Sequence, residues 1–295
     1  MPLLPVKDLI HDAKKRKYAL GYFESWNFES LQGVLDAAEK TRSPIIVGFS
    51  GDFLSRLGRL QPERLDMYAS LGKTAAEGAT VPCGFIFNEC PHDDWVRRAC
   101  DLGFNLVMPA DPEAPFSVYQ RWVKEIVAYA HPRGVMVEAE VGVLPCGASG
   151  AVTGLSAMTD PEVAREFYQE SGVDLLAVSV GNVHIRISGE GELDLKRLEQ
   201  IVARSNAPLV LHGASGIAAD SLKSAIALGV VKVNFGTYLK QRYLKAVRCA
   251  LANLEVNPHE LMGLGGKSDV MSAGRMAVRD AVLERIEILG CCDKA

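Results

Sequence analysis

At residues 208–216 the chain reads Pro208-Leu209-Val210-Leu211-His212-Gly213-Ala214-Ser215-Gly216. A short apolar run ends here in a histidine and a glycine-rich turn, and the segment Asp220 to Leu228 that follows has the apolar spacing of a helix. Strand, turn and helix in this order form a βα unit, from which parallel sheets are built. The stretch therefore predicts a buried parallel strand whose C-terminal end carries polar residues.

Seven further apolar runs have the same character, and each is followed by a helix-like segment such as Phe28 to Lys40. They are Tyr18 to Phe23, Pro44 to Ser50, Val81 to Asn88, Leu106 to Ala110, Met136 to Val141, Leu175 to Gly181 and Lys232 to Thr237. With the run from Pro208 to Gly213 they make eight βα units. This number predicts an α/β fold of the (β/α)₈ TIM barrel type, with a doubly wound open sheet as the alternative.

The length of 295 residues and the hydrophobic content of 48% suit a single barrel domain over residues 1–295. A C-terminal helical extension over about residues 238–295 is expected from Tyr238 to Leu254 and Gly274 to Ile288. Residues 142–159, after the fifth run, are too long for an ordinary βα connection and predict a lid. Thr159 or Asp160 is expected to cap the next helix, which Pro161 opens.

The net charge indicates which partners the protein binds, and the N-terminal sequence and the cysteines indicate its cellular compartment. The net charge is −4 with no long run of one sign, which predicts small-molecule partners and no nucleic acid or membrane surface. The N-terminus lacks the pattern of a secretory signal, no apolar segment has the length of a membrane span, and the seven cysteines are an odd number. A cytoplasmic protein with reduced thiols is the expectation.

Polar residues at the ends of the predicted strands are the candidates for chemistry, because barrel enzymes build their sites there. His184 and His212 follow neighbouring strands, and imidazole nitrogens at converging strand ends can bind one Zn²⁺ ion. A pair of hydrogen-bonded structural histidines is the alternative. The other four histidines lie on predicted helix or loop segments and are not expected to bind a metal.

Two glycine-containing segments predict a phosphate site. Gly213 to Gly216 precedes a helix, and Asn234 to Thr237 ends the eighth run. Many barrels bind phosphate after strands seven and eight with backbone N–H groups and a helix start. A tight turn that simply needs glycine is the alternative for the first segment.

The sequence resembles the class II fructose- and tagatose-bisphosphate aldolases over nearly its whole length. The motifs that carry the resemblance are Leu3-Leu4-Pro5-Val6-Lys7-Asp8, Gly21-Tyr22-Phe23, Ser43-Pro44-Ile45-Ile46, Val137-Glu138-Ala139-Glu140-Val141-Gly142, Thr159-Asp160-Pro161, Gly181-Asn182-Val183-His184, Leu209 to Gly216 and Lys232-Val233-Asn234. The resemblance implies that His184 and His212 bind Zn²⁺ or another divalent metal ion. It also implies a sugar-phosphate substrate with a dihydroxyacetone-phosphate-like moiety, and a homodimer or homotetramer.

The same resemblance assigns a set of residues to substrate and phosphate binding. They are Ser50, Gly181, Gly213, Ala214, Ser215, Asn234, Gly236, Thr237 and Arg275. Arg275 stands where an arginine of the family reaches the substrate of a neighbouring subunit.

One departure from the family pattern concerns the catalytic acid. The family's third strand ends in Leu-Asp-His-Gly, in which the aspartate is the general acid/base and the histidine is a third zinc ligand. This chain reads Phe87-Asn88-Glu89-Cys90 at the same place. Glu89 can still serve as a third metal ligand, which gives a two-histidine, one-glutamate set. Asn88 cannot transfer a proton, so proton transfer at the catalytic site is expected to fall to Glu24, Asp52 or a metal-bound water. For Glu24, a solvent-facing carboxylate at a strand end is the alternative.

These residues predict an aldolase-like carbon–carbon lyase that acts on a ketose phosphate through a metal-stabilised enediolate, with a diverged substrate. One alternative is a metal-dependent epimerase or isomerase of a sugar phosphate or sugar acid, and another is a non-catalytic aldolase-like subunit. A Schiff-base mechanism needs an inward, desolvated lysine. Lys232 opens the eighth run and is not expected to be placed for that role.

Overall fold

Eight parallel strands close into one barrel in the computed structural model, which describes residues 2–142, 144, 146–147, 158–183, 185–186, 191–252 and 257–295. The strands are β1 (Leu20–Ser25), β2 (Ile45–Ser50), β3 (Cys83–Cys90), β4 (Leu106–Pro109), β5 (Met136–Val141), β6 (Leu175–Val178), β7 (Leu209–Leu211) and β8 (Val230–Phe235). Each strand pairs with its neighbours in sequence, and β1 pairs with β8. The predicted (β/α)₈ barrel is confirmed over the open sheet.

Helices follow the strands and form the outer layer of the barrel. They are α1 (Val6–Arg16), α2 (Phe28–Thr41), α3 (Gly51–Leu54), α4 (Leu65–Gly78), α5 (Asp93–Asp101), α6 (Phe116–Ala130), α7 (Pro161–Ser171), α8 (Leu195–Ser205), α9 (Ala219–Leu228), α10 (Thr237–Leu251), α11 (Pro258–Leu261) and α12 (Val270–Leu289). The C-terminal α12 packs against α2 and α10. None of the described helices is long and apolar enough to cross a membrane.

The predicted start of α7 is confirmed at the level of the cap. The Asp160 side chain accepts hydrogen bonds from the backbone N–H groups of Glu162 (2.8 Å) and Val163 (3.2 Å), and Pro161 is the first helical residue. A carboxylate at this position satisfies N–H groups that have no partner inside the helix. The predicted lid before this cap lies largely outside the described residues. Its described part includes Cys146–Gly147, which pairs in parallel with Ile185–Arg186.

The core occupies the barrel interior and the space between the strands and the helices. Most strand residues are buried on both faces, as parallel sheets require. The barrel interior also holds charged and polar groups toward its C-terminal end, among them Glu138, His212 and Lys232, each at most 1% exposed. Buried charges are costly unless they are paired, so this group marks the part of the fold where a site is expected.

Candidate active site

His212 lies directly after β7, inside the mouth of the barrel, and its position is fixed from two sides. Its Nε2–H donates to Oε1 of Glu138 on β5 over 2.8 Å. Its backbone carbonyl accepts a hydrogen bond from Nδ2 of Asn182, which follows β6, over 3.0 Å. In the neutral ring, donation from Nε2 leaves the lone pair on Nδ1. His212, a predicted metal ligand, is therefore held through Nε2 by Glu138, and Nδ1 is the nitrogen that could bind a metal ion.

Beneath His212, Glu138 and Lys232 form a buried ion pair across the barrel. Nζ of Lys232 lies 2.8 Å from Oε2 of Glu138 and donates to Oδ1 of Asn234 over 2.6 Å. Burial raises the pKa of Glu138, but the charges of Lys232 and His212 outweigh it and hold that pKa below 4.5. Burial lowers the pKa of Lys232 below 10.5 although Glu138 opposes this.

The expectation for the position of Lys232 was wrong. The strand begins two residues earlier than predicted, at Val230, so that Lys232 is its third residue and points into the barrel, where it is 0% exposed. Lys232 is thus inward and desolvated, as a Schiff-base lysine must be. Its ammonium group is nevertheless occupied by Glu138 and Asn234.

Two carboxylates stand at the other nitrogen of His212. Nδ1 lies 3.0 Å from Oε2 of Glu140 and 3.2 Å from Oε1 of Glu89, yet neither contact has the geometry of a hydrogen bond. Burial lowers the pKa of His212, but Glu138, Glu140 and Glu89 together raise it well above 6.5. Nδ1 is consequently a buried polar atom with two negative neighbours and without a hydrogen-bond partner among the described residues.

Glu89 reaches this point through an irregularity of its strand. The pairing of β3 with β4 shifts between Phe87 and Cys90, and Glu89 itself has a left-handed backbone with φ of 53°. A bulge of this kind re-aims a side chain, and left-handed residues other than glycine are uncommon. The backbone of β3 is therefore shaped to bring the Glu89 carboxylate to His212.

Glu140 was missed as a site residue, although the sequence contains the signal for it. Glu138 and Glu140 are two residues apart on β5, so their side chains point to the same face of the strand. That face is the barrel interior, since both carboxylates contact His212. Two acidic residues spaced in this way on an otherwise apolar strand could have been recognised as inward-facing.

The described residues do not by themselves complete a metal centre. No group of three or more His, Cys, Asp or Glu side chains within them is arranged to hold an ion. The second predicted histidine ligand, His184, lies outside the described residues. The assignment of His184, His212 and Glu89 as ligands therefore stays a prediction, and the structure brings two of the three together.

Other buried polar atoms at the strand ends also have no hydrogen-bond partner within the described residues. They include Oδ1 of Asn88 at the end of β3, Nδ2 of Asn234 on β8 and Oγ of Ser25 at the end of β1. Buried polar groups are almost always paired in folded proteins, and exceptions call for a ligand, water or ion. Together with Nδ1 of His212, these atoms indicate a small-molecule site at this end of the barrel.

The two carboxylates predicted to move protons have different surroundings. Oε1 of Glu24, on β1, lies 2.6 Å from Nζ of Lys240, and the Glu24 side chain is 13% exposed. Oδ2 of Asp52, on α3, lies 2.7 Å from NH2 of Arg56, and the Asp52 side chain is 42% exposed. Glu24 is thus held in a partly buried ion pair, whereas Asp52 is accessible to solvent.

The predicted phosphate segments lie beside each other after β7 and β8. Gly213 has φ of 65°, Ala214–Gly216 forms one 3₁₀ turn, and Oγ of Ser215 accepts a hydrogen bond from the backbone N–H of Tyr238 over 3.3 Å. Thr237 begins α10. The N–H groups of a first helical turn attract anions. The two segments are therefore adjacent, as a shared phosphate site requires.

Two of the predicted substrate-binding glycines, Gly236 and Gly181, occupy positions that favour glycine. A Cβ atom at position 236 would lie 2.3 Å from Oε2 of Glu24, so only glycine lets that carboxylate approach. The Glu24–Lys240 pair thereby lies next to the predicted phosphate segment. Gly181, after β6, has φ of 99°. Ser50, at the end of β2, is buried and caps α3 by accepting a hydrogen bond from the N–H of Phe53 over 3.5 Å.

Arg275 is the predicted substrate residue that the structure places apart from the others. It lies on α12, where Nε and NH2 bind both oxygens of Asp36 on α2 at 2.6 and 2.7 Å. A planar guanidinium suits such two-point pairing with a carboxylate. Within one chain Arg275 therefore belongs to the outer helical layer.

We call His212 with Glu89, Glu138 and Glu140 the His212 cluster. A cavity of about 730 Å³ opens next to it. Glu89, Glu140 and Asp52 lie in its wall, and it extends over the ends of β3, β4 and β5 toward the start of α7. A pocket of this size is in the range that holds small organic ligands. The barrel mouth thus offers a charged cluster, a phosphate-type segment and an adjoining cavity.

This arrangement agrees with a comparison of the sequence with known families. Residues 4–294 match the family described as fructose-bisphosphate aldolase class II. The chain belongs to the class II fructose-bisphosphate aldolase family. This class II aldolase is 32% identical to the fructose-bisphosphate aldolase of Geobacillus stearothermophilus over 296 residues, which cover 100% of this chain and 99% of that protein.

A second relative has a solved structure. The protein YdjI of Escherichia coli strain K12 is 33% identical over 287 residues, covering 97% of this chain and 96% of that protein. The crystal structure of the YdjI aldolase superposes with a TM-score of 0.83 and 31% sequence identity, over 99% of both chains.

Membership of the family confirms the predicted class of protein. The chain is an enzyme, an aldolase-like carbon–carbon lyase on a TIM barrel. The alternatives of an epimerase and of a non-catalytic subunit are not favoured by these matches.

Proposed function

We propose that this class II aldolase cleaves a ketose phosphate to a dihydroxyacetone-phosphate-like fragment and an aldehyde, in a metal-dependent reaction. The observation that carries the proposal is the state of His212: Nε2 is occupied by Glu138, and Nδ1 faces Glu140 and Glu89 at 3.0 and 3.2 Å. Two donors about 2.0–2.1 Å from a tetrahedral ion are about 3.3 Å apart, close to these separations. His212 and Glu89, with His184 and Glu140, would hold a divalent ion such as Zn²⁺.

The metal ion would supply one part of the chemistry, and the protein residues would orient its ligand and bind the substrate. A bound divalent ion would polarise the ketone of the substrate and stabilise the enediolate that cleavage produces. The carboxylate of Glu138, supported by Lys232, orients His212 through its second nitrogen. The segments Gly213 to Ser215 and Asn234 to Thr237 bind the phosphate with backbone N–H groups and the start of α10.

Aldol cleavage also needs a base for the hydroxyl proton of the departing fragment. The C3–C4 bond breaks, the hydroxyl on C4 becomes the aldehyde carbonyl as it gives up its proton, and C3 keeps the electron pair and is then protonated. We assign the hydroxyl proton to Asp52, because it lies in the wall of the cavity and is accessible to solvent, whereas Glu24 lies beside the phosphate segment. Asn88 has no proton to give or take and is assigned to hydrogen bonding with the substrate.

The metal requirement and the first half of the reaction can be tested together. The purified protein is analysed for divalent metal, and dihydroxyacetone phosphate is incubated with it in heavy water. Metal bound at about one ion per chain and chelator-sensitive exchange of a C3 proton are expected. Exchange that continues unchanged after complete metal removal would refute the metal-dependent mechanism.

Two histidine variants give a matched comparison. His212→Asn removes the buried ligand, and His259→Asn alters an exposed histidine on α11. We expect His212→Asn to lose bound metal and exchange, and His259→Asn to keep both. If His212→Asn keeps the metal, the proposed centre is wrong.

A further inference from the structure

The cavity next to the His212 cluster lies on the side of the barrel away from the predicted phosphate segments. Its wall is formed by Asp52 after β2, Glu89 on β3, Ala110 after β4 and Glu140 on β5. The phosphate segments follow β7 and β8. A ketose with its C1 phosphate at those segments and its carbonyl at the cluster therefore extends the rest of its carbon chain into the cavity. The cavity is thus the place for the fragment that leaves as the aldehyde.

Within one chain, the described residues of the cavity wall carry almost no positive charge. Arg56 is the only Lys or Arg among the described residues of its wall, and its guanidinium is paired with Asp52 over 2.7 Å. The acidic residues Asp52, Glu89, Asp111, Glu140 and Asp160 line the same space. Phosphate groups are bound in proteins by free arginine, lysine or backbone N–H groups. Glu89 and Glu140 are assigned to the metal ion, and the remaining described side chains of the wall offer a second phosphate no unpaired cation.

The predicted lid segment adds no cationic side chain to the sequence between β5 and α7. Residues 143–157 contain no Lys, Arg or His in the sequence. The N–H groups that open α7, at the edge of the cavity, are already bound by the Asp160 carboxylate at 2.8 and 3.2 Å. This helix start therefore has no free N–H groups for a second anion.

Much of the remaining wall is apolar. It includes Phe116, Leu144, Met158 and Val163. The one tyrosine, Tyr119, is not available for a ligand because its hydroxyl donates to the Pro109 carbonyl over 3.0 Å and accepts from the N–H of Glu140 over 3.3 Å. At roughly 30 Å³ for each water-sized group, a three-carbon aldehyde with six non-hydrogen atoms would fill only about a quarter of the volume.

We infer that the aldehyde fragment is uncharged, partly apolar and larger than three carbons, so that the substrate class is ketose 1-monophosphates and not ketose 1,6-bisphosphates. The inference rests on the proposed function, and it names the second half of the same substrate. In the condensation direction, C3 of dihydroxyacetone phosphate bonds to the aldehyde carbon. C3 gives up one proton, which exchanges with solvent, and the aldehyde oxygen takes up one proton from Asp52, so that the protons balance.

The test uses the metal-loaded enzyme with dihydroxyacetone phosphate and a set of aldehydes. Glyceraldehyde 3-phosphate is compared with glyceraldehyde and with neutral four- to six-carbon aldehydes, and kcat/KM for each aldehyde is measured. We expect the best neutral aldehyde to exceed glyceraldehyde 3-phosphate by about tenfold or more. Equal or higher kcat/KM for glyceraldehyde 3-phosphate would overturn the inference.

Different results would refute the proposed function and this inference. Absence of C3 proton exchange as well as of condensation counts against the proposed function itself. Exchange without condensation of any neutral aldehyde counts against the inference alone.

A charge variant in the wall provides a second readout. Met158→Lys adds a cation on a side chain of similar length, and Met158→Gln adds only polarity. The ratio of kcat/KM for glyceraldehyde 3-phosphate to that for glyceraldehyde should rise about fivefold or more in Met158→Lys and stay within about twofold in Met158→Gln. An unchanged ratio in Met158→Lys would mean that the charge of this cavity does not set the choice of aldehyde.

Discussion

Nζ of Lys232 lies 2.8 Å from Oε2 of Glu138, and both side chains are fully buried in the barrel below His212. The opposite oxygen of the same carboxylate accepts a hydrogen bond from Nε2 of His212 over 2.8 Å. Glu138 therefore joins the charge of the barrel interior to the orientation of the predicted metal ligand. This link makes separate predictions for stability and for metal binding.

The first prediction concerns stability. Lys232→Met leaves the Glu138 carboxylate buried without its counter-charge, and breaking a buried pair in this way costs about 3–5 kcal/mol. The free energy of unfolding should fall accordingly in urea denaturation. Lys240→Met, which breaks the more exposed pair with Glu24, should cost about 1 kcal/mol or less. A loss below about 1 kcal/mol in Lys232→Met would show that the buried pair does not stabilise the barrel.

The second prediction concerns metal affinity. Glu138→Gln keeps the size of the side chain but replaces the charged acceptor at Nε2 of His212. Loss of such a supporting carboxylate typically weakens metal binding about 10- to 100-fold. The dissociation constant for Zn²⁺, measured by competition with a chromophoric chelator, should rise by this factor. Glu284→Gln, on the exposed side of α12, serves as the control and should leave the constant unchanged.

Much of the barrel could be predicted from the sequence, because each strand is an apolar run of its own. All eight runs are strands in the structure, but their ends differ where polar residues follow: the sixth ends at Val178 and not at Gly181. Lys232 was misplaced at the start of a strand, since the predicted run left out Val230 and Val231, which already belong to β8. Local composition predicts the presence of a strand well, but it predicts the strand's ends and register less accurately.

The site residues that lie at the end of an individual strand could be predicted from the sequence. His212 and Glu89 were expected to meet, and their side chains lie 3.2 Å apart. The bulge that turns Glu89 toward His212 arises from the pairing of β3 with β4, which leaves no local pattern. Glu140 contacts His212 because β5 and β7 flank β6 in the curved barrel, which brings their inward faces together. Contacts of that kind follow from the fold and not from the spacing of residues.

The third prediction separates the two candidate proton carriers. If Asp52 accepts the hydroxyl proton, Asp52→Asn should lower kcat for cleavage by about 10²–10⁴. C3 proton exchange of dihydroxyacetone phosphate should persist, because that step does not involve the departing aldehyde. Asp111→Asn, in the same cavity wall, controls for the lost charge and should retain kcat within about tenfold. A larger loss in Glu24→Gln than in Asp52→Asn would reverse the assignment.

The fourth prediction concerns the start of α12 and its dependence on pH. Asp269 accepts hydrogen bonds from the N–H groups of Ser272 (2.9 Å), Gly263 (2.7 Å) and Gly265 (3.0 Å), and these bonds lower the pKa of its carboxyl below 3.8. Loss of a helix cap costs about 0.5–2 kcal/mol, so Asp269→Ala should be destabilised by at least this amount at pH 7. Asp269→Asn, which keeps an acceptor oxygen, should lose less.

The sign of the pH effect follows from the lowered pKa. The ionised carboxylate is favoured in the folded chain, so its contribution is fully present above 3.8 and is lost as the pH falls through the folded-state value. The difference in unfolding free energy between the wild type and Asp269→Asn should therefore shrink below pH 3.8, as measured by urea denaturation at several pH values. A difference that is constant between pH 7 and 3 would show that the charge of Asp269 does not stabilise α12.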